Sequence, residues 1–102
     1  MGMGNIMKQA QKMQAKMAAM QEQLKDEVLE ASAGGGTVKV TITGDLQIKS
    51  IVIDPSAVDP DDVDLLQDMT TAAVNEAIRS AQELAQRRMA DITGGMNLPG
   101  LM

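Results

Sequence analysis

The chain has 102 residues, a net charge of −5, and no His, Cys, Trp, Tyr or Phe. That length makes one domain, and without aromatics its small core rests on Ile, Leu, Val, Ala and ten Met, a pliable set that a second subunit often completes. Disulfides and thiolate metal sites are excluded, and no apolar run approaches the roughly eighteen residues of a membrane span or forms a signal peptide, so a cytoplasmic protein without membrane association is expected.

The first element carries a heptad seam. Met3, Ile6, Ala10, Met13, Met17, Met20 and Leu24 alternate in steps of three and four, which predicts a helix from about Asn5 to about Lys25 that packs on another helix. Met13, Met17 and Met20 share one face. Thioethers at this spacing read as core or interface, in preference to a soft-metal ligand set. Lys8, Lys12 and Lys16 recur every fourth residue as a row beside the seam, with no acid before Glu22. Such a row is either a solvated face or an edge that contacts phosphates.

Next come strand signals. Val28–Ala33 reads as a short edge strand, and Gly34, Gly35 and Gly36 as a turn that lacks the spacing of either nucleotide-binding fingerprint. Thr37–Thr43 alternates strictly, with Val38, Val40 and Ile42 on one face. A three-residue loop, Gly44 to Leu46, then leads into Gln47–Ile53. It places Ile48 and Val52 on the face of Ile42 and Val38 and sends Ile51 and Ile53 to the other face, beside Lys49, where a partner would cover them.

Residues 54–68 hold six aspartates and no base. The run lacks the Gly and distal Glu of a calcium-binding loop, and it reads as capping and solubility, not as a metal site. Asp59 is expected to cap a helix that starts at Pro60 and runs to about Thr93, with Leu66, Met69, Ala73, Ala77, Ala81, Leu84 and Ile92 on its buried stripe. At about 50 Å this helix outruns strands of about 23 Å. The overhang packs on the first helix, on a second subunit or on nothing. Its small residues suit close helix approach, including approach by a second copy. Spacing of four pairs Glu83 with Arg87, Arg79 with Glu83 and Arg87 with Asp91, leaving Arg88 with only Asp91 nearby. Gly94–Gly95 stops the helix, so residues 1–93 form the domain and residues 94–102 a flexible tail.

No catalytic constellation emerges. Without His, Cys or Tyr the acid–base groups reduce to carboxylates and lysines, none of them set in a definable apolar pocket, and Ser50 and Ser56 have no visible base. No enzyme, cofactor or small-molecule substrate is expected.

The charge is uneven. Residues 1–25 hold four lysines against one glutamate, whereas residues 26–68 are acidic and residues 69–102 balance. One basic end on an acidic chain gives a polyanion partner a preferred side.

Four stretches carry a resemblance: Gly-Asn-Ile-Met-Lys-Gln-Ala-Gln-Lys-Met-Gln (4–14), Gly-Gly-Gly-Thr-Val-Lys-Val-Thr (34–41), Ile53-Asp54-Pro55, and Gly-Gly-Met-Asn-Leu-Pro-Gly (94–100). Together they resemble the bacterial YbaB/EbfC family of nucleoid-associated proteins, nearly end to end. The resemblance implies an α+β chain, α-β-β-β-α with a three-stranded antiparallel meander and two long helices. It implies a homodimer with protruding helical arms that binds double-stranded DNA and helps to organise the nucleoid or modulate gene expression. Carried onto this chain, the arms hold Lys8, Lys12 and Lys16 on the first helix and Arg87 and Arg88 on the last. Ile51 and Ile53, with Met13, Met17 and Met20, are expected at the dimer interface. Lysine and arginine rows position a duplex with little sequence preference, and no aromatic is present to stack on single-stranded bases. The competing reading is a dimeric adaptor whose Met-rich seam docks a partner helix, with DNA association incidental.

Overall fold

The computed structural model describes residues 2–94, in the order α1 (Gly2–Asp26), β1 (Val28–Ala33), β2 (Val38–Thr43), β3 (Ile48–Ile53), a 3-10 turn at Pro55–Ala57, and α2 (Val63–Gly94). The strands form one antiparallel sheet in the order β1-β2-β3. The expected tail beyond Gly94 lies outside the described residues.

The alternation of β2 decides where the core sits. Val38, Val40 and Ile42 are fully buried beneath Ala73, Ala77 and Ala81 of α2, which are equally inaccessible. Leu29, Ala31 and Ala33 of β1 complete this face through the pairs Leu29–Ile42, Ala31–Val40 and Ala33–Val38. Alanine every fourth residue leaves no side chain to hold the helix off the strand, so branched side chains of β2 fill the gap. The small-residue stripe expected to meet a second copy is therefore spent within the chain.

β3 differs from expectation, and the cause is a β-bulge. The three-residue loop forms as predicted, with the Thr43 amide donating to the Gln47 carbonyl at 2.8 Å and the Leu46 amide to the Thr43 carbonyl at 3.0 Å. Its last residue, Leu46, takes the left-handed conformation with φ 71°. Ile42 then pairs with Ile48 but Thr41 pairs with Ser50, leaving Lys49 as the extra residue. A bulge inverts every following side chain. Ile51 and Ile53 consequently share the helix-side face with Ile48, opposite Val40 and Val38, while Val52 pairs with Lys39 on the open face.

α2 packs over β1 and β2 and makes no comparable contact with β3. It runs from the Gly34 end of the sheet, where Met69 packs against Gly34, to the Gly44 end, where Ala81 and Ala85 face the hairpin loop. The far third of α2 continues beyond the sheet and lies against α1. Met20 and Leu24 are buried there, and Lys16, Ala19 and Gln23 face Arg88, Asp91 and Ile92 across a cavity of about 310 Å³. The overhang of α2 is thus taken up by α1, in antiparallel fashion. The molecule measures 71 × 27 × 16 Å, and its radius of gyration of 19.7 Å exceeds the value of about 13 Å for a compact chain of this length.

Two junctions hold the frame. Gly44 is buried, and its amide donates to the Glu27 carbonyl at 2.9 Å. A Cβ at Gly44 would lie 2.7 Å from the Leu24 carbonyl oxygen, so only glycine lets the hairpin meet the end of α1. The guanidinium of Arg88 pairs with the Glu27 carboxylate, both partly buried, which ties α2 to the root of α1. The expected pairs of Glu83 with Arg79 and with Arg87, and of Arg87 with Asp91, do not form; Arg79 pairs with Glu76 at 2.6 Å and Lys25 with Glu22 at 3.0 Å.

The start of α2 also shifts. Asp59 and Pro60 enter a turn in which the Asp59 carboxylate accepts from the Asp61 amide at 2.9 Å, and the helix begins at Val63 with Asp62 accepting from the Leu65 amide at 3.3 Å. Proline suits the first turn position as well as the first helical position, and the turn won. Upstream, the Ser56 hydroxyl and amide both donate to Asp54, holding its carboxyl below the ordinary carboxylate value.

Replacing Gly44 with Ala is expected to cost about 1–3 kcal/mol, because the clash is with backbone. Urea titration checks it, and an unchanged midpoint would show that the hairpin and α1 are not held at this distance.

Candidate nucleic-acid interface

α1 supplies a charged rod. No acid occurs between Gly2 and Gln21, and Lys8, Lys12 and Lys16 are all exposed. None of the three forms an ion pair with a described residue. At 3.6 residues per turn the lysine row lies about a third of a turn round the helix from the Ile6–Met13–Met17 line, so cations and apolar seam face different neighbours. Every residue from Met3 to Lys12 is exposed. This part of α1, about 15 Å long, projects past the section that packs on α2.

The arginines divide. Arg87 is exposed and unpaired among the described residues, whereas Arg88 is turned inward onto Glu27. The structure gathers Lys16 and Arg88 round one cavity together with Asp91, while Lys8 and Lys12 lie farther out along the free section. Glu27 and Arg88 are 61 residues apart, and no local spacing announces their pairing. One oxygen of Glu27 is buried with no hydrogen-bond partner among the described residues, and the other pairs with this guanidinium.

The apolar residues expected at an interface also divide. Met20 is 7 % exposed within a single chain, Met13 and Met17 are half-buried, and Ile53 is partly covered. Ile51 is 44 % exposed and Ile48, which the sequence reading assigned to the core side, is 41 % exposed. These isoleucines lie in line with the most deeply buried side chains of the protein, yet α2 does not reach them. The sequence signal for Ile48 was its pairing with Ile42; nothing in the pattern announced that the helix would stop short.

The acidic stretch 54–68 sits at the Gly34 end, whereas α1 projects from the Gly44 end. Charge is therefore separated along the long axis, with the lysines of α1 towards one end and the aspartates of 54–68 at the other. Among the described residues no cluster of carboxylates is arranged to hold a metal, and no helix is long and apolar enough to cross a membrane.

The model of the YbaB/EbfC DNA-binding family matches residues 1–96. A nucleoid-associated protein of Moorella thermoacetica is 57 % identical over 103 aligned positions, covering 98 % of this chain and 99 % of the relative. Another, from Acetivibrio thermocellus, is 55 % identical over 98 residues, covering 95 % of this chain and 87 % of the relative. The crystal structure of an uncharacterized Helicobacter pylori protein superimposes with a TM-score of 0.81 at 20 % identity, covering 91 % of this chain and 98 % of that one, and so shares the fold. A match across this span, on a chain with a cationic helical arm and the α-β-β-β-α order, shows that the protein belongs to the YbaB/EbfC DNA-binding family.

Proposed function

We propose that the protein is a homodimeric nucleoid-associated protein that binds duplex DNA through phosphate contacts, with little sequence preference, and so helps to organise the nucleoid or modulate gene expression. The observation that carries this reading is the lysine row of α1, in which Lys8 and Lys12 on the free section and Lys16 beside α2 are all exposed and form no ion pair among the described residues, on a chain of net charge −5. Unpaired cations at regular spacing on a rod match a regular array of phosphates, and such contacts fix position without reading bases. Arg87, exposed and unpaired among the described residues, is a further candidate phosphate contact. Arg88 supports it indirectly, since its guanidinium is engaged by Glu27.

Dimerisation through the helix-side face of β3 completes the reading. Ile48 and Ile51 are large, exposed and adjacent to a fully buried face, and an edge strand with this surface invites a second copy. Two copies would double the number of arms and hence of phosphate contacts, raising affinity without new chemistry. The relatives' description as nucleoid-associated supports a location on the chromosome within the cytoplasm.

A second reading is favoured by one observation. Met3, Ile6 and Met7 are 79 %, 64 % and 61 % exposed on the same free section, a surface that suits a partner helix. Under this adaptor reading, a lysate pull-down survives nuclease treatment and purified protein leaves duplex DNA unshifted.

Four outcomes follow. Exchanging Lys8, Lys12 and Lys16 for Gln should lower affinity for duplex DNA and flatten its dependence on salt, by about 0.9 in the log–log slope for each lysine engaged; an unchanged slope in anisotropy titrations rejects the α1 contact. Arg87→Gln should weaken DNA binding at unchanged stability. By contrast, Arg88→Gln should lower stability by about 1–2 kcal/mol, since it strands a carboxylate that is only partly buried; equal effects in paired thermal melts and titrations would contradict the division between them. Replacing Ile48 and Ile51 with Asp should halve the mass seen by light scattering, and a variant that keeps the wild-type mass rules out this face.

A further inference from the structure

With no Cys, His, Trp or Tyr in the chain, the ten methionine thioethers are its only readily oxidised side chains. Six of them, Met1, Met3, Met7, Met13, Met17 and Met20, fall within the first twenty residues. Their environments are graded along α1. Met3 and Met7 are 79 % and 61 % exposed, Met13 and Met17 are half-buried, and Met20 is 7 % exposed. Met20 occupies a distinctive place. It borders the cavity of about 310 Å³ shared with Arg88 and Ile92, and also a second cavity of about 340 Å³ lined by Leu24, Gly44, Leu46, Ala81 and Ala85. Both are open to solvent, so the small exposed part of Met20 faces clefts that an oxidant little larger than water can enter.

We infer that Met20 is a modification site, at which sulfoxidation by a hydroperoxide loosens α1 from α2. In this step a sulfur lone pair attacks one peroxide oxygen and forms the S–O bond. The O–O bond breaks, and the departing oxygen takes up the proton to leave as water, or as an alcohol from an alkyl peroxide. The sulfur is oxidised by two electrons and the peroxide is reduced by two. The product replaces an apolar, pliable side chain with a strong dipole where α1 meets α2, between Leu24 and the alanines of α2. Met3 and Met7 lie on the free section, and their oxidation removes no packing within the chain. The arm is therefore sensitive to oxidation at its root and tolerant at its tip. Because sulfoxide reduction regenerates the thioether, the change is reversible. The inference concerns helix docking and does not depend on the DNA reading.

The test is a graded hydrogen peroxide treatment of the folded protein, with peptide mass mapping of each methionine and a thermal melt at every stage. Early oxidation of Met3 and Met7 should leave the melt unchanged. Later oxidation of Met20, while the protein is still folded, should lower Tm by about 5 °C. Methionine sulfoxide reductases should restore it, and Met20→Leu should remove this late fall, whereas Met3→Leu with Met7→Leu should retain it. The inference is overturned if Met20 stays unmodified until the chain unfolds, if its oxidation leaves Tm unchanged, or if Met20→Leu shows the same late fall. Should Met20→Leu fail to fold, mapping and melting of the wild type, with the reductase reversal, still decide between these results.

Discussion

Three alanines on one helix set the geometry of this protein. Ala73, Ala77 and Ala81 bring α2 down onto Val38, Val40 and Ile42 with no accessible surface left between them. A helix seated so closely has a narrow footprint and covers two strands. The third is left with apolar side chains on its helix side, although hydrogen bonding to β2 holds them in line with the core. The same seating fixes the direction of α2, whose length beyond the sheet must find another surface. α1 provides it, and the two helices together form the projecting part of an elongated molecule.

That frame depends on junctions where chemistry leaves little choice. Gly44 admits the Leu24 carbonyl, and Arg88 meets the one carboxylate that ties α2 to the beginning of β1. One Glu27 oxygen is buried without a partner among the described residues, so loss of the cation leaves this carboxylate less well compensated. Past its contact with α2, α1 projects with Lys8 and Lys12 exposed, while acid is concentrated at the opposite end. Separation of charge along a long axis gives an acidic protein a local attraction for a polyanion that its net charge would deny.

Much of this was legible in the sequence because the patterns were long or strict. The heptad seam gave α1, the alternation of Thr37–Thr43 gave β2, and the glycine and aspartate signals gave the turns. The alanine stripe marks a close-packing surface but does not say whether this chain or a second copy meets it, since periodicity says that a face is buried and not by what. The side of Ile51 and Ile53 is not legible, because one extra residue, Lys49, inverts the alternation, and a bulge leaves no mark in a strand of apolar and polar residues this short. Asp59-Pro60 fits a helix start and a turn equally well, and tertiary context decided. The Glu27–Arg88 pair was invisible for a different reason: it joins residues far apart in the chain, where no local spacing operates.

The bare face of β3 links the fold to the proposed action, since two arms on one duplex require two copies held together. Sedimentation equilibrium of the unmodified protein at low micromolar concentration tests this most directly. The account predicts a single species at twice the chain mass of 10.8 kDa. A folded species at the mass of one chain would contradict it.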